Sequence, residues 1–132
     1  MDLEARRRES LLASIRKAGY AIGLMYYECN KESLSEDEDG KKYLLPDGRP
    51  NPHWLTDGVG DQYSEILMAD FGSFIKFDTT YFDKETCSDD EAWVILDKYF
   101  EYNEVDEEVC KGWDDLMDEK YGVGWEKQYP NV

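Results

Sequence analysis

Carboxylates are the residues of this sequence that could do chemistry. Thirty-one Asp and Glu stand against fifteen Lys and Arg, a formal net charge of −16 in 132 residues. They crowd most densely at 83–126, where sixteen acids meet four lysines and the formal charge is −12. Within that stretch Glu104, Glu107, Glu108, Asp114, Asp115, Asp118 and Glu119 recur at helical spacings. Neighbours at i and i+4 then lie about 6 Å apart along a helix that rises ~1.5 Å per residue. Phosphates on one nucleic-acid strand are separated by a comparable distance, so a rigid carboxylate row can occupy a groove shaped for a phosphate backbone. Long-range attraction would also speed its arrival at a basic surface. Asp89 and Asp90, in the first turn after Ser88, extend this candidate partner-binding surface.

The remaining reactive residue types point nowhere so specific. His53 is the single histidine and lies beside Trp54 with no recognisable nucleophile or carboxylate partner, as expected of a loop or packing residue. Cys29, Cys87 and Cys110 are odd in number and far apart, with no CxxC, so neither a disulfide framework nor a zinc site is expected. Ser35, Asp37, Asp39 and Gly40 resemble the first half of an EF-hand loop, but the closing position falls on Pro46, where a bidentate Glu is required. No catalytic residue, cofactor or metal site is therefore expected.

Charge narrows the partners. A pI near 4.3 sets the chain against direct contact with nucleic acid or an anionic membrane and favours basic proteins. The apolar runs fall far short of the ~20 residues that span a bilayer, and MDLEARRRES lacks the apolar region of a signal peptide. A cytoplasmic protein is the expectation. The first seventeen residues carry five basic residues and three acids, and the rest of the chain ten and twenty-eight. Internal neutralisation of the acidic part by this basic start, or neutralisation within a homodimer, is expected.

The elements that must position these groups read as one α+β domain over 1–132. Leu11, Ile15, Ala18 and Ile22 predict an N-terminal helix from about residue 3 to 17, with Gly19 as its stop. The short apolar run at 20–29 reads as a buried strand, and the turn-rich 31–61 as an exposed loop excursion. Alternation of aromatic and β-branched residues over 62–82 predicts an antiparallel hairpin, or equally one bent strand with a bulge at Gly72, within a small antiparallel β-sheet in the middle of the chain. Ser88-x-x-Glu91 is a capping box that opens a helix with Ala92, Trp93, Leu96, Tyr99 and Phe100 on one face. A last helix, capped by Asn103 with Asp106, buries Val105, Val109, Trp113, Leu116 and Tyr121 and ends at Gly122. Both C-terminal helices are amphipathic and acidic.

Three functions compete on these grounds. The first is an inhibitor that presents carboxylates to a basic nucleic-acid-binding protein such as a nuclease. Small acidic phage anti-CRISPR and anti-restriction proteins act this way as a class, and no motif here ties the chain to one of their families. The second is an immunity or adaptor protein that neutralises a basic toxin or bridges partners. The third is an enzyme working through a carboxylate pair; Gly-rich phosphate loops, Ser-His-Asp sets and metal spacings are absent, so this is the reading with least support.

Overall fold

A computed structural model describes residues 2–55 and 71–129 of the chain. Its backbone is a single long helix, α1 (Leu3–Glu36), opened by Asp2, whose Oδ1 accepts the Ala5 N–H at 2.7 Å. At ~1.5 Å per residue α1 is about 50 Å long. Leu11, Ile15, Ala18 and Ile22 are buried along it at the predicted spacing. The helix does not stop at Gly19, however, and 20–29 is helical rather than a strand.

The reason is a backbone contact that no periodicity reveals. A Cβ on Gly19 would overlap the Val109 carbonyl oxygen, and a Cβ on Gly112 would overlap the Arg16 carbonyl oxygen. Each glycine costs its helix ~1 kcal/mol of propensity relative to alanine. In exchange, the two helices touch backbone to backbone. The partner is α4 (Tyr102–Tyr121), and the pairings Arg8 with Glu104, Gly23 with Leu116 and Tyr27 with Tyr121 show that it runs parallel to α1. Parallel helices need a long return connection. Residues 37–101 supply it, with a 3-10 turn at Lys41–Tyr43, α2 (Phe71–Phe74) and α3 (Asp89–Leu96).

No sheet forms among the described residues, so the α+β expectation is overturned in favour of a helical fold. The β-like pairing present is an isolated bridge between Leu44 and Pro50. Much of the predicted hairpin, 62–70, lies outside the described residues. Its remainder is α2 followed by an irregular segment that buries Ile75 and Phe77. The i, i+2 burial that reads as a strand is real, but Phe77 N–H donates to the Glu85 carbonyl at 2.6 Å, not to a neighbouring strand. Alternating apolar residues fit any extended segment laid on a helical surface, and a ladder also needs a second strand beside it.

The C-terminal helices follow their patterns more closely. Ser88 Oγ accepts the Glu91 N–H at 3.3 Å to start α3, whose Ala92 and Leu96 are buried. In α4 the cap is Glu101, reciprocated by Glu104, and not Asn103 with Asp106. Gly122 ends it at φ +90°, and α5 (Trp125–Gln128) lays Trp125 on the body. Two apolar clusters result, both seated on the α1/α4 pair. One joins Leu11, Ile15 and Ile22 to Ile75, Leu96 and Val109, and the other joins Tyr27 and Leu55 to Trp113, Leu116 and Trp125. Among the described residues, no helix is long and apolar enough to cross a membrane.

Gly112→Ala and Gly19→Ala test the crossing, because propensity and packing predict opposite signs. Propensity alone gives a gain of ~1 kcal/mol for each. The blocked backbone contact should instead cost about 3 kcal/mol in urea unfolding. Gly23→Ala, whose Cβ would meet Leu116 and Trp113 at 3.4 Å, should change stability by less than about 1 kcal/mol. A gain at Gly19 or Gly112 would rule out the close approach.

Candidate acidic interface

The predicted carboxylate row divides once α1 is laid beside α4. Glu104 accepts from Arg8 at 2.9 Å and from the Glu101 backbone N–H at 3.0 Å. Asp115 takes both arms of the Arg16 guanidinium, at 2.6 and 2.7 Å, in a bidentate pair. Glu119 accepts from the Tyr20 hydroxyl, and the half-buried Glu108 pairs with Lys111 at 3.1 Å. Asp89 accepts the Gly72 backbone N–H at the start of α3. Five of the nine predicted contact residues are thus bonded within the molecule, three of them to the N-terminal helix. The basic start of the chain neutralises part of the acidic row internally.

Glu107, Asp114, Asp118 and Asp90 remain exposed, with no ion pair among the described residues. Spacings of seven and four place Glu107, Asp114 and Asp118 in one stripe down α4. Asp90 does not join them. It belongs to the first turn of α3, whose Ala92 and Leu96 pack in the cluster around Val105 and Val109, whereas Asp114 and Asp118 flank the other cluster.

Desolvation and charge crowding act together within the stripe. Although Asp114 is an exposed residue, its carboxyl is pushed above the usual range, first by desolvation and then by Asp118, Glu126 and Asp115. Asp115, one residue on, is held below it by hydrogen bonding to Arg16.

A second acidic stripe arises because α1 continues through 20–29, expected as a strand, and into 31–36, expected as part of an exposed loop. Glu28, Glu32 and Glu36 follow one another at i+4 on α1, all exposed, and no base stands in the last turn. Each like-charged pair costs a few tenths of a kcal/mol, and the negative helix end adds to the repulsion. The repeat E-x-x-x-E-x-x-x-E is the signal that could have found it. Because α1 and α4 run parallel, their negative ends point the same way, and both stripes lean towards that end. There Arg49 relieves α4: its guanidinium donates to the Lys120 carbonyl, pairs with Asp47 at 2.7 Å and lies over the Tyr121 and Tyr129 rings.

The other chemically capable residues have structural surroundings. His53 is buried edge-on to Trp125, with Nε2 3.0 Å from the Tyr129 carbonyl oxygen. Ser35 Oγ donates back to the Glu32 carbonyl at 2.7 Å, while Asp37 accepts the Asp39 N–H. Among the described residues, no three His, Cys, Asp or Glu stand together so as to hold a metal ion. Cys29, Cys87 and Cys110 form no disulfide among the described residues.

Asp114 and Asp115 should respond oppositely to neutralisation. With its folded pKa depressed, Asp115 adds stability present above the unfolded value of ~3.9 and lost as pH falls through the folded value. With its folded pKa raised, Asp114 imposes a cost that is absent below ~3.9 and complete above the folded value. At pH 7, Asp115→Asn should lower and Asp114→Asn should raise stability to urea, each by less than about 1 kcal/mol because both residues meet water. The Asp114→Asn gain should disappear at pH 3. Shifts of the same sign at pH 7 would contradict this electrostatic arrangement. Comparison with models of known protein families, with curated proteins and with solved structures finds no match for this chain.

Proposed function

We propose that this chain is an acidic inhibitor that presents carboxylates to a basic nucleic-acid-binding protein, occupying the groove that takes a phosphate backbone. The observation that carries the reading is the retention of unpaired, mutually repelling carboxylates on two rigid parallel helices. Arg8 and Arg16 neutralise two acids of α4 that face α1 and Tyr20 donates a hydrogen bond to a third, yet Glu107, Asp114 and Asp118 on α4 and Glu28, Glu32 and Glu36 on α1 are left to solvent. Such spacing lowers the stability of each helix by a few tenths of a kcal/mol per pair, so it favours a role over mere solubility, which scattered charge would supply as well. Helices held backbone to backbone also keep the charges at a fixed pitch, and preorganised charge reaches a complementary surface without an ordering cost.

The contact surface differs from the row read along α4. Glu104, Asp115 and Glu119 hold α4 to α1, and Asp89 holds α3 to α2, so these residues position the helices and the partner meets the unpaired stripes. The partner is a cytoplasmic basic effector, with nuclease as the leading class.

Affinity capture from host lysate at low salt, with competing DNA in a parallel arm, tests the proposal. The captured protein should be a nucleic-acid binder, should be displaced by DNA, and should lose affinity steeply as salt rises. Combining Glu107→Lys, Asp114→Lys and Asp118→Lys should weaken binding at least tenfold, while Asp115→Asn, already paired with Arg16, should weaken it less than threefold. Full binding by the triple variant would reject the α4 stripe. Binding indifferent to DNA, together with rescue from a single basic toxin, would place the chain among immunity proteins instead.

A further inference from the structure

A cleft of about 500 Å³ opens between the N-terminal part of α1, the segment 81–87 and α3, within the size range of small-molecule sites. Its floor is apolar. Phe82 and Ile95 line it and pack on the core cluster beneath, and Val94 stands on its rim at 61% exposure, among the most exposed large aliphatic residues described. Tyr99 forms a fixed wall, since its hydroxyl donates to Glu4 at 2.8 Å.

The polar part of the lining is unusual for so acidic a chain. Arg7, Lys84 and Lys98 all line the cleft, opposed there by Asp83 and Glu91. Two of these cations are already engaged, Arg7 with Glu4 at 2.9 Å and Lys84 with Glu91 at 2.8 Å. Lys98 has no ion pair among the described residues, and it lies in the turn just after α3, where its backbone N–H donates to the Ile95 carbonyl. A free ammonium beside an apolar floor selects a ligand with one anionic head and an apolar body. The net charge of −16 sharpens that choice, because polyanions are repelled at long range and a monoanion needs apolar contact to overcome the same field.

We infer that this cleft binds a small amphiphilic carboxylate, with the carboxylate on Lys98 and the apolar chain against Phe82, Val94 and Ile95. The site lies apart from the α4 and α1 acidic stripes and stands independently of the inhibitor reading.

Isothermal titration of the full chain with decanoate tests it, with decanol and decyltrimethylammonium as neutral and cationic probes of the same chain length. Decanoate should bind saturably at one per chain, and the other two at least tenfold more weakly. Lys98→Glu should weaken decanoate at least tenfold, as should Val94→Asp, which puts like charge on the rim. Lys111→Glu, which reverses an exposed charge on α4 away from the cleft, should leave decanoate within twofold. Far-UV circular dichroism and melting verify each fold, with Lys98→Ala replacing Lys98→Glu should the latter unfold. Absence of saturable binding, equal binding of decanol, or equal losses in Lys98→Glu and Lys111→Glu would overturn the site.

Discussion

The backbone contact of Gly19 and Gly112 is the constraint on which the rest of the molecule depends. With no side chain between them, α1 and α4 approach until carbonyl oxygens of one helix face the α-carbons of the other. That proximity sets the reach of every flanking pair: Arg8 meets Glu104, Arg16 meets Asp115 and Tyr20 meets Glu119 along one parallel seam. These exposed pairs are each worth only about 0–1 kcal/mol, so they define orientation more than they supply stability. The stability comes from Leu11, Ile15, Ile22, Val109 and Leu116, all fully buried, at ~1.5–3 kcal/mol per aliphatic side chain relative to leaving it exposed.

Parallel pairing carries an electrostatic consequence. Antiparallel helices offset their dipoles, whereas these two place both negative ends at one end of the molecule. The chain adds carboxylates there in Glu28, Glu32 and Glu36, while Arg49 caps α4, pairs with Asp47 and stacks on two tyrosines. Basic residues are concentrated instead on the first half of α1, where Arg8 and Arg16 cancel the acids that face them. The molecule is therefore charge-polarised by topology as well as by composition, and what its surface offers a partner is the remainder after internal pairing.

Aromatic residues do the corresponding structural work around the second cluster. Tyr27 packs edge-on against Tyr121, Tyr26 tilts against Trp113, and Trp125 meets His53. The Tyr121 hydroxyl donates to the Pro50 carbonyl, and burial pushes that phenol far above its usual range. Tyr27, Tyr121 and Tyr129 thus serve the join between the 44–55 segment and the helix pair.

Sequence alone determined the local features, because they rest on interactions within a few residues. The N-cap at Ser88, the apolar face of α4 from Val105 to Tyr121, the stop at Gly122 and the outward charge of both C-terminal helices were legible from spacing and residue type. Tertiary structure decided whatever depended on a distant neighbour. Gly19 reads as a stop because glycine disfavours a helix, yet Val109, ninety residues away, makes it a crossing point and lets α1 run on to Glu36. Ile75 and Phe77 read as strand because their burial alternates, yet the surface beneath them is helical. The acidic row on α4 was visible in sequence, but its division into Asp115 and Glu104, which hold α1, and Asp114 and Asp118, which face water, was not. Charge spacing is written along one helix, whereas the pairing of each charge depends on which face a second helix covers.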